Sequence, residues 1–430
     1  MAKGGAGGGS MFASLRYVNY RTWFAAALIS NLGTWIQRIA QDWLVLRELT
    51  DNSGFDAGLI TALQFVPFLF LTPWAGLLAD RLPRRQLLAV AQAGLGVLAL
   101  GLGALVLSGH VRLWHVYVFA FLLGCVTAID NPVRQTFVAE LVPRESLPNA
   151  VGLNSASFNV SRLLGPALAG ILVEAFGTGW AFLLNGLSFG ATILGLALMR
   201  AAQLRVVESA GKGKGQIAEA VRYVKGRPDI LVIMAIMAVV GCFGFNSQLT
   251  IALMATQVFD RQAGQFGLLS SFFGAGALAG ALLAARRERP RVRLIVGAAF
   301  AFGLASGVSA VMPTYWTFGL SGVLVGLCTM TLMTAANSTI QLGTTPALRG
   351  RVISLYMLVF WGVTPVGSPF VGWLSGVAGA RWSIGVGSLA ALAVSLGAAW
   401  WVRRNWHLTA RLEGFPPHVV VVDAHGDKVT

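Results

Sequence analysis

Gly76-Leu77-Leu78-Ala79-Asp80-Arg81-Leu82-Pro83-Arg84-Arg85 is a short charged break between two long apolar runs, residues 57–79 and 87–108. Each run has about the ~20 residues that a helix needs to cross the hydrocarbon core of a bilayer. The break therefore reads as the tight turn of a membrane-crossing helical hairpin. Its arginines hold that turn on the cytoplasmic side, because Lys and Arg accumulate in cytoplasmic loops.

Working outward from this hairpin, similar runs recur along all 430 residues. They fall at 22–46, 57–79, 87–108, 113–133, 147–173, 177–199, 229–251, 264–285, 293–312, 315–337, 351–374 and 381–402. Continuous apolar runs of this length are helices, since spanning strands are short and alternate in polarity. Composition agrees: 56% of the residues are hydrophobic and 11% are charged, against roughly 25% charged in soluble domains. The expected class is an all-α, multi-pass membrane protein with twelve transmembrane helices. The Gly-rich start Met1–Ser10 lacks the basic-then-apolar order of a cleaved signal and reads as retained.

The net charge of +15 raises the possibility of a nucleic-acid partner. Its distribution argues against one. With the N-terminus inside, Arg47, Arg112, Arg261 and Arg381 fall on outer segments, Arg38 and Arg162 fall inside spans, and every other Lys and Arg is cytoplasmic. The basic excess is thus a topology signal, placing both termini in the cytoplasm and the chain in the cell membrane. Cys125, Cys242 and Cys328 lie in apolar runs and form neither a disulfide framework nor a metal-ligand spacing.

The longest break, residues 200–228, divides the spans six and six. Asn131 and Gln135 recur as Asn337 and Gln341, 206 positions later, and Pro166 recurs as Pro369, 203 positions later. These offsets point to a duplicated six-helix unit, a common plan among secondary transporters. The expected organisation is a flexible cytoplasmic segment 1–20, six-helix bundles 21–199 and 229–404, a cytoplasmic linker 200–228 between them, and a cytoplasmic tail 405–430.

In-span polar residues carry the candidate chemistry. At 100° per residue, Asn31, Gln37, Arg38, Gln41 and Asp42 share one side of the first span with Ser30, Thr34 and Trp35, while Leu32, Ile36, Ile39 and Leu44 occupy the other. Such a stripe is costly against lipid, so it lines a central cavity or a helix interface. Arg38 and Asp42, spaced i, i+4, can pair, and Asp42 is the best acidic candidate for carrying a proton. The alternative is a structural pair at the outer end of the helix. Asn159 and Arg162 share a face of the fifth span with Ser155. A cation near the bilayer centre costs roughly 2.5–3.5 kcal/mol on insertion scales, so Arg162 requires a partner, either a substrate or a neighbouring helix. The second half has no mid-span charge. Its polar residues Asn246, Gln248, Thr334 and Asn337 read as helix–helix hydrogen-bonding groups.

Other functions find no support. No P-loop G-x-x-x-x-G-K-[ST] and no H-E-x-x-H occur. Gly186-Leu187-Ser188-Phe189-Gly190 matches G-x-S-x-G inside an apolar helix, without the strand–turn–helix setting of a hydrolase. No enzyme activity, cofactor or metal is expected.

The loop Gly76…Asp80-Arg81…Arg84-Arg85 resembles the G-x-L-A-D-R-x-G-R-R signature of the major facilitator superfamily, with Pro83 where Gly is usual. Trp35-Ile36-Gln37-Arg38, Gln41-Asp42-Trp43-Leu44, Asp130-Asn131-Pro132-Val133-Arg134-Gln135, Gly165-Pro166 with Gly170, and Arg349-Gly350-Arg351-Val352 are similar to its enterobactin-exporter-like, macrolide and Tap-type multidrug efflux branch. The resemblance covers roughly 11–405. It implies twelve helices in two six-helix bundles, alternating access and proton-driven export, without naming the cargo; a small amphipathic molecule and a monomeric protein are expected. It also implies a cytoplasmic gate built from Gly76, Asp80, Arg81, Arg84, Arg85, Asp130 and Arg134, and an antiporter-type helix bend at Gly165, Pro166 and Gly170. An uncoupled or uptake carrier, or a lipid-translocating protein, is the alternative.

Overall fold

The structure is a computed structural model describing residues 12–205, 216–285, 292–345, 348–405, 409–413 and 418–422. Side chains are described throughout these except at 72–73, 75–77, 79–81, 216–218, 285, 405, 409–413 and 418–422.

In lipid a backbone must satisfy its own polar groups, and apolar side chains all round a helix suit that solvent. The chain accordingly folds into helices α1 (Val18–Trp43), α2 (Gly54–Arg81), α3 (Arg84–Leu107), α4 (Leu113–Leu141), α5 (Leu147–Phe176) and α6 (Thr178–Leu198). A short helix α7 (Gln216–Lys225) follows. The second half comprises α8 (Pro228–Phe243), α9 (Ser247–Leu253), α10 (Ala263–Ala285), α11 (Val292–Val311), α12 (Tyr315–Gly343), α13 (Arg349–Gly362), α14 (Thr364–Ala378) and α15 (Ala380–Asn405). Strands β1 (Thr409–Glu413) and β2 (His418–Val422) pair antiparallel in the tail, with Thr409 opposite Val422.

Eleven spans among the described residues are long and apolar enough to cross a membrane. α1 is the twelfth: its 26 residues suffice in length, and its polar stripe lowers its apolarity. Two predicted single helices are broken. The span at 229–251 becomes α8 and α9, interrupted over Gly244–Asn246, where Asn246 Nδ2 donates to the Cys242 carbonyl at 2.8 Å. The span at 351–374 becomes α13 and α14 because Pro365, in the first turn of α14, cannot donate to the preceding turn.

The duplication is visible in the packing. In the first half α1 lies against α5 and α6, α2 against α4, and α3 against α6; in the second, α10 lies against α12 and α11 against α15. The halves meet along two helix pairs, α2 with α14 and α5 with α10. Both seams depend on glycine. A Cβ at Gly58 would overlap the Ser368 carbonyl of α14, and one at Gly267 would overlap the Pro166 carbonyl of α5. Small residues let helices approach this closely in a membrane, where packing replaces the hydrophobic effect between helices. The far ends of α1 and α9 repeat each other too. Each passes into a π-helical turn, Leu44–Leu49 and Met254–Val258, followed by a residue at positive φ, Asn52 (57°) and Asp260 (46°).

The helices end on two faces of the molecule. The linker face carries the start of α1, the α2–α3 turn and α7. The opposite face carries the two π turns.

Candidate functional site

The polar stripe of α1 divides between two environments. Gln37 (4% exposed) and Gln41 are buried. Gln37 Oε1 accepts from Asn185 Nδ2 of α6 at 2.6 Å, so this part of the stripe joins helices within the first half. Asn31 donates to Ser157 Oγ of α5 at 3.4 Å. Arg38 is different. It lies in the second half of a buried helix, yet its side chain is exposed.

Arg38 and Arg162 converge on one indole. The guanidinium carbons lie 5.1 Å and 5.8 Å from the Trp35 ring centroid, and that of Arg162 also lies 5.1 Å from the Phe273 ring of α10. Trp35 is held in turn by an edge contact with Phe158 at 5.9 Å. Gly165 permits the approach, because its Cα lies against the Trp35 side chain. Gly170, one turn on, lies against Ala263 and Gly264 of α10, and Pro166 against Gly267, so the Gly165–Gly170 segment forms the seam with the second half. Asn159 donates to the Ser155 carbonyl of its own helix at 2.9 Å, and its buried Oδ1 has no partner. Phe273 also borders a small cavity of about 40 Å³ in the second half, lined by Phe243, Ser247, Phe302 and Phe318.

Asp42 takes a partner that helical spacing does not supply. Its Oδ2 accepts from Gln248 Nε2 of α9 at 3.1 Å, across 206 positions. That separation equals the one between Asn131 and Asn337. The hydrogen bond therefore joins the first span of one half to the first span of the other. Arg38 lies over the Trp35 ring, and its charge also acts on Asp42.

Sequence reading misses a second layer of contacts between the halves, on the opposite face. Arg47 Nη2 donates to the Thr256 carbonyl at 3.0 Å and pairs with Asp260 at 2.5 Å. Gln257 donates to the Asn52 carbonyl at 2.7 Å, and the Gly264 amide donates to Glu174 Oε2 at 3.1 Å. These partners stand some two hundred or ninety positions apart, beyond any local pattern. The Arg47 pair is largely solvated, so it contributes roughly 0.2–1 kcal/mol. Arg47→Ala should raise hydrogen exchange in segments 44–58 and 254–262 by roughly two- to fivefold. Unchanged exchange would show that this pair does not hold the halves together.

On the linker face, Asp130 is buried at 3% exposure. Its Oδ1 accepts from Gln92 Nε2 of α3 at 2.7 Å, and its Oδ2 accepts from Arg134 Nε at 3.1 Å. Arg134 also lies 5.5 Å from the Trp23 ring of α1. Arg84 pairs with Glu140 at 2.7 Å, and Arg85 donates to the Ala197 carbonyl. These bonds tie α3 to α4 and α6. The side chains of Gly76, Asp80 and Arg81 lie outside the described residues; α2 runs through their backbone. Among the described residues no group of His, Cys, Asp and Glu is arranged to hold a metal ion.

Comparison with known proteins agrees with this architecture. The chain is 24% identical to the Staphyloferrin A transporter of Staphylococcus aureus over 356 residues, 80% of this chain and 86% of that one. It is 26% identical to the Multidrug efflux pump Tap of Mycobacterium tuberculosis over 379 residues, 82% of this chain and 86% of that one. Among solved structures it resembles a bacterial homologue of the human lysosomal transporter Spinster in an inward-facing, unoccupied conformation, with TM-score 0.73, 15% identity and coverage of 90% and 97%. It also resembles a D-xylose–proton symporter, with TM-score 0.70, 14% identity and coverage of 89% and 97%. Residues 9–413 match the family described as transmembrane secretion effector. With its helices packed in two halves and a family match that spans nearly the whole sequence, the chain belongs to this family of major facilitator superfamily transporters.

Proposed function

We propose that the chain exports a small amphipathic molecule across the cell membrane by alternating access, in exchange for protons, with Asp42 as the proton-carrying group. The observation that carries this reading is the position of Asp42. It is an in-span carboxylate, one turn from Arg38, and it accepts a hydrogen bond from Gln248 of the other half. A group placed there feels both the central space and the contact that must open when the halves rock. Intramembrane carboxylates in such positions mark proton pathways.

The moving units are the bundles 21–199 and 229–404, pivoting on the α2–α14 and α5–α10 seams, with 200–228 as the tether. The linker face is cytoplasmic and both termini lie inside. With the opposite face tied between the halves, this state opens toward the cytoplasm. Loading for export starts from that state. In the reverse state the linker face closes, and Gly76, Asp80, Arg81, Arg84, Arg85, Asp130 and Arg134 form the gate. Relatives named as a siderophore transporter and a multidrug efflux pump support transport of small molecules, and the second name supports the outward direction. The protein works as a monomer with protons, cargo and lipid as its partners.

The test uses everted vesicles with an acid interior and a pH-sensitive dye. A panel of a macrolide, a tetracycline and a polycarboxylate siderophore is added in turn. At least one should release protons in vesicles that hold the protein and not in control vesicles. If a panel member is transported with no proton release, the chain is an uncoupled carrier.

A further inference from the structure

We propose that Arg38 and Arg162 form an anion-binding pair in the central space, so that the exported molecule carries a carboxylate or similar oxyanion beside an apolar, ring-bearing body. The inference rests on the export reading and adds the class of cargo.

A guanidinium carries five N–H donors in one plane. Stacking on an aromatic ring uses the face of that plane and leaves the edge free. Both guanidiniums lie over rings, Trp35 for Arg38 and Trp35 and Phe273 for Arg162, and among the described residues the one acid that acts on either of them is Asp42, on Arg38. The other cations near helix ends are satisfied by acids or carbonyls, as in Arg84 with Glu140, Arg134 with Asp130, and Arg227 with Asp229 and the Gly343 carbonyl. The one carboxylate on the same face of α1, Asp42, accepts from Gln248. Two like charges sharing one indole repel, and a doubly hydrogen-bonded oxyanion between them removes that repulsion and fills the free donor edges. Trp35, Phe158 and Phe273 supply flat apolar surface beside the charge, matching an aryl or alkyl body. Arg38 is exposed and Arg162 half-buried, so a ligand meets the pair from the Arg38 side.

The test is equilibrium binding to the full chain in phosphatidylcholine nanodiscs, with empty discs subtracted. The probes are 2-naphthoxyacetate and its neutral amide, 2-naphthoxyacetamide, measured by titration calorimetry. The acid should bind about tenfold or more tighter than the amide, the scale of a charge-assisted bidentate contact. Arg38→Gln and Arg162→Gln should each lower acid affinity by about tenfold and leave amide affinity unchanged, which also shows that the variants are folded. Arg162→Lys should retain part of the preference, since it keeps the charge and loses the planar fork. Adding phosphatidylglycerol separates two sources of the anion. Competition with the acid makes the occupant a lipid headgroup, and its absence makes it a soluble acid. Equal binding of acid and amide, no binding of the acid, or equal losses for both probes in the variants would overturn the proposal. Because no proton gradient is present, a failure of proton exchange in vesicles leaves this result standing, and a failure here leaves the exchange result standing.

Discussion

Asp42→Asn is expected to reduce proton-driven export to the level of protein-free vesicles, with the variant present in the membrane at the wild-type amount. Asparagine matches the size of the carboxylate, and its amide oxygen still accepts from Gln248, so the 3.1 Å contact between the halves survives. What it removes is the site for a proton. An exchange cycle needs one group that takes a proton from one side and releases it on the other, and an amide cannot. The measurement is dye dequenching in everted vesicles, with immunoblotting for expression. Wild-type proton release by Asp42→Asn would move the coupling role to another residue. Binding of an anionic probe at the arginine pair should persist, because the neighbouring positive charges remain.

Asp130→Ala is expected to destabilise the protein by about 3 kcal/mol, the cost of leaving one member of a buried pair without the other. The carboxylate is the acceptor for two donors, Gln92 Nε2 and Arg134 Nε. Alanine leaves the Gln92 amide buried, with its own Oε1 already unpartnered, and frees Arg134 beside Trp23. Arg134 sits near a helix end and reaches water more easily than a mid-span cation, which keeps the cost from rising further. Thermal unfolding in detergent should show a fall of several degrees. Asp130→Asn, which still accepts from Gln92, should lose less. An Asp130→Ala variant that melts with the wild type would refute the network. Transport by folded Asp130→Ala should also fall, since Arg134 loses the anchor that aims it within the proposed gate.

Much of this molecule is legible in sequence, for identifiable reasons. Helices in lipid need long apolar runs, so the spans from 22–46 to 381–402 are visible without tertiary knowledge. The two helix breaks are less so. Pro365 is a local signal, although prolines such as Pro132 and Pro166 sit inside unbroken helices, and no single residue separates these cases. The repeat is readable from Asn131/Asn337 and Pro166/Pro369. Gln248 is visible as an in-span polar residue but reads as helix glue, because its partner lies in another bundle.

The sequence by itself determined that this chain crosses a membrane twelve times, that its basic loops give it a sidedness, and that Arg38, Asp42 and Arg162 are its unusual in-span charges. Only the tertiary structure decided which partner each charge takes. Helical spacing offered Asp42 the guanidinium of Arg38, four residues away. The fold also brought Gln248 to it across 206 positions, sent Gln37 to Asn185, and set both arginines against Trp35. Hydropathy is a property of each segment against its solvent and can be read one window at a time. Hydrogen bonds and ion contacts inside a bundle act over about 3 Å, so they depend on which helices become neighbours, and that is set by packing of the whole chain.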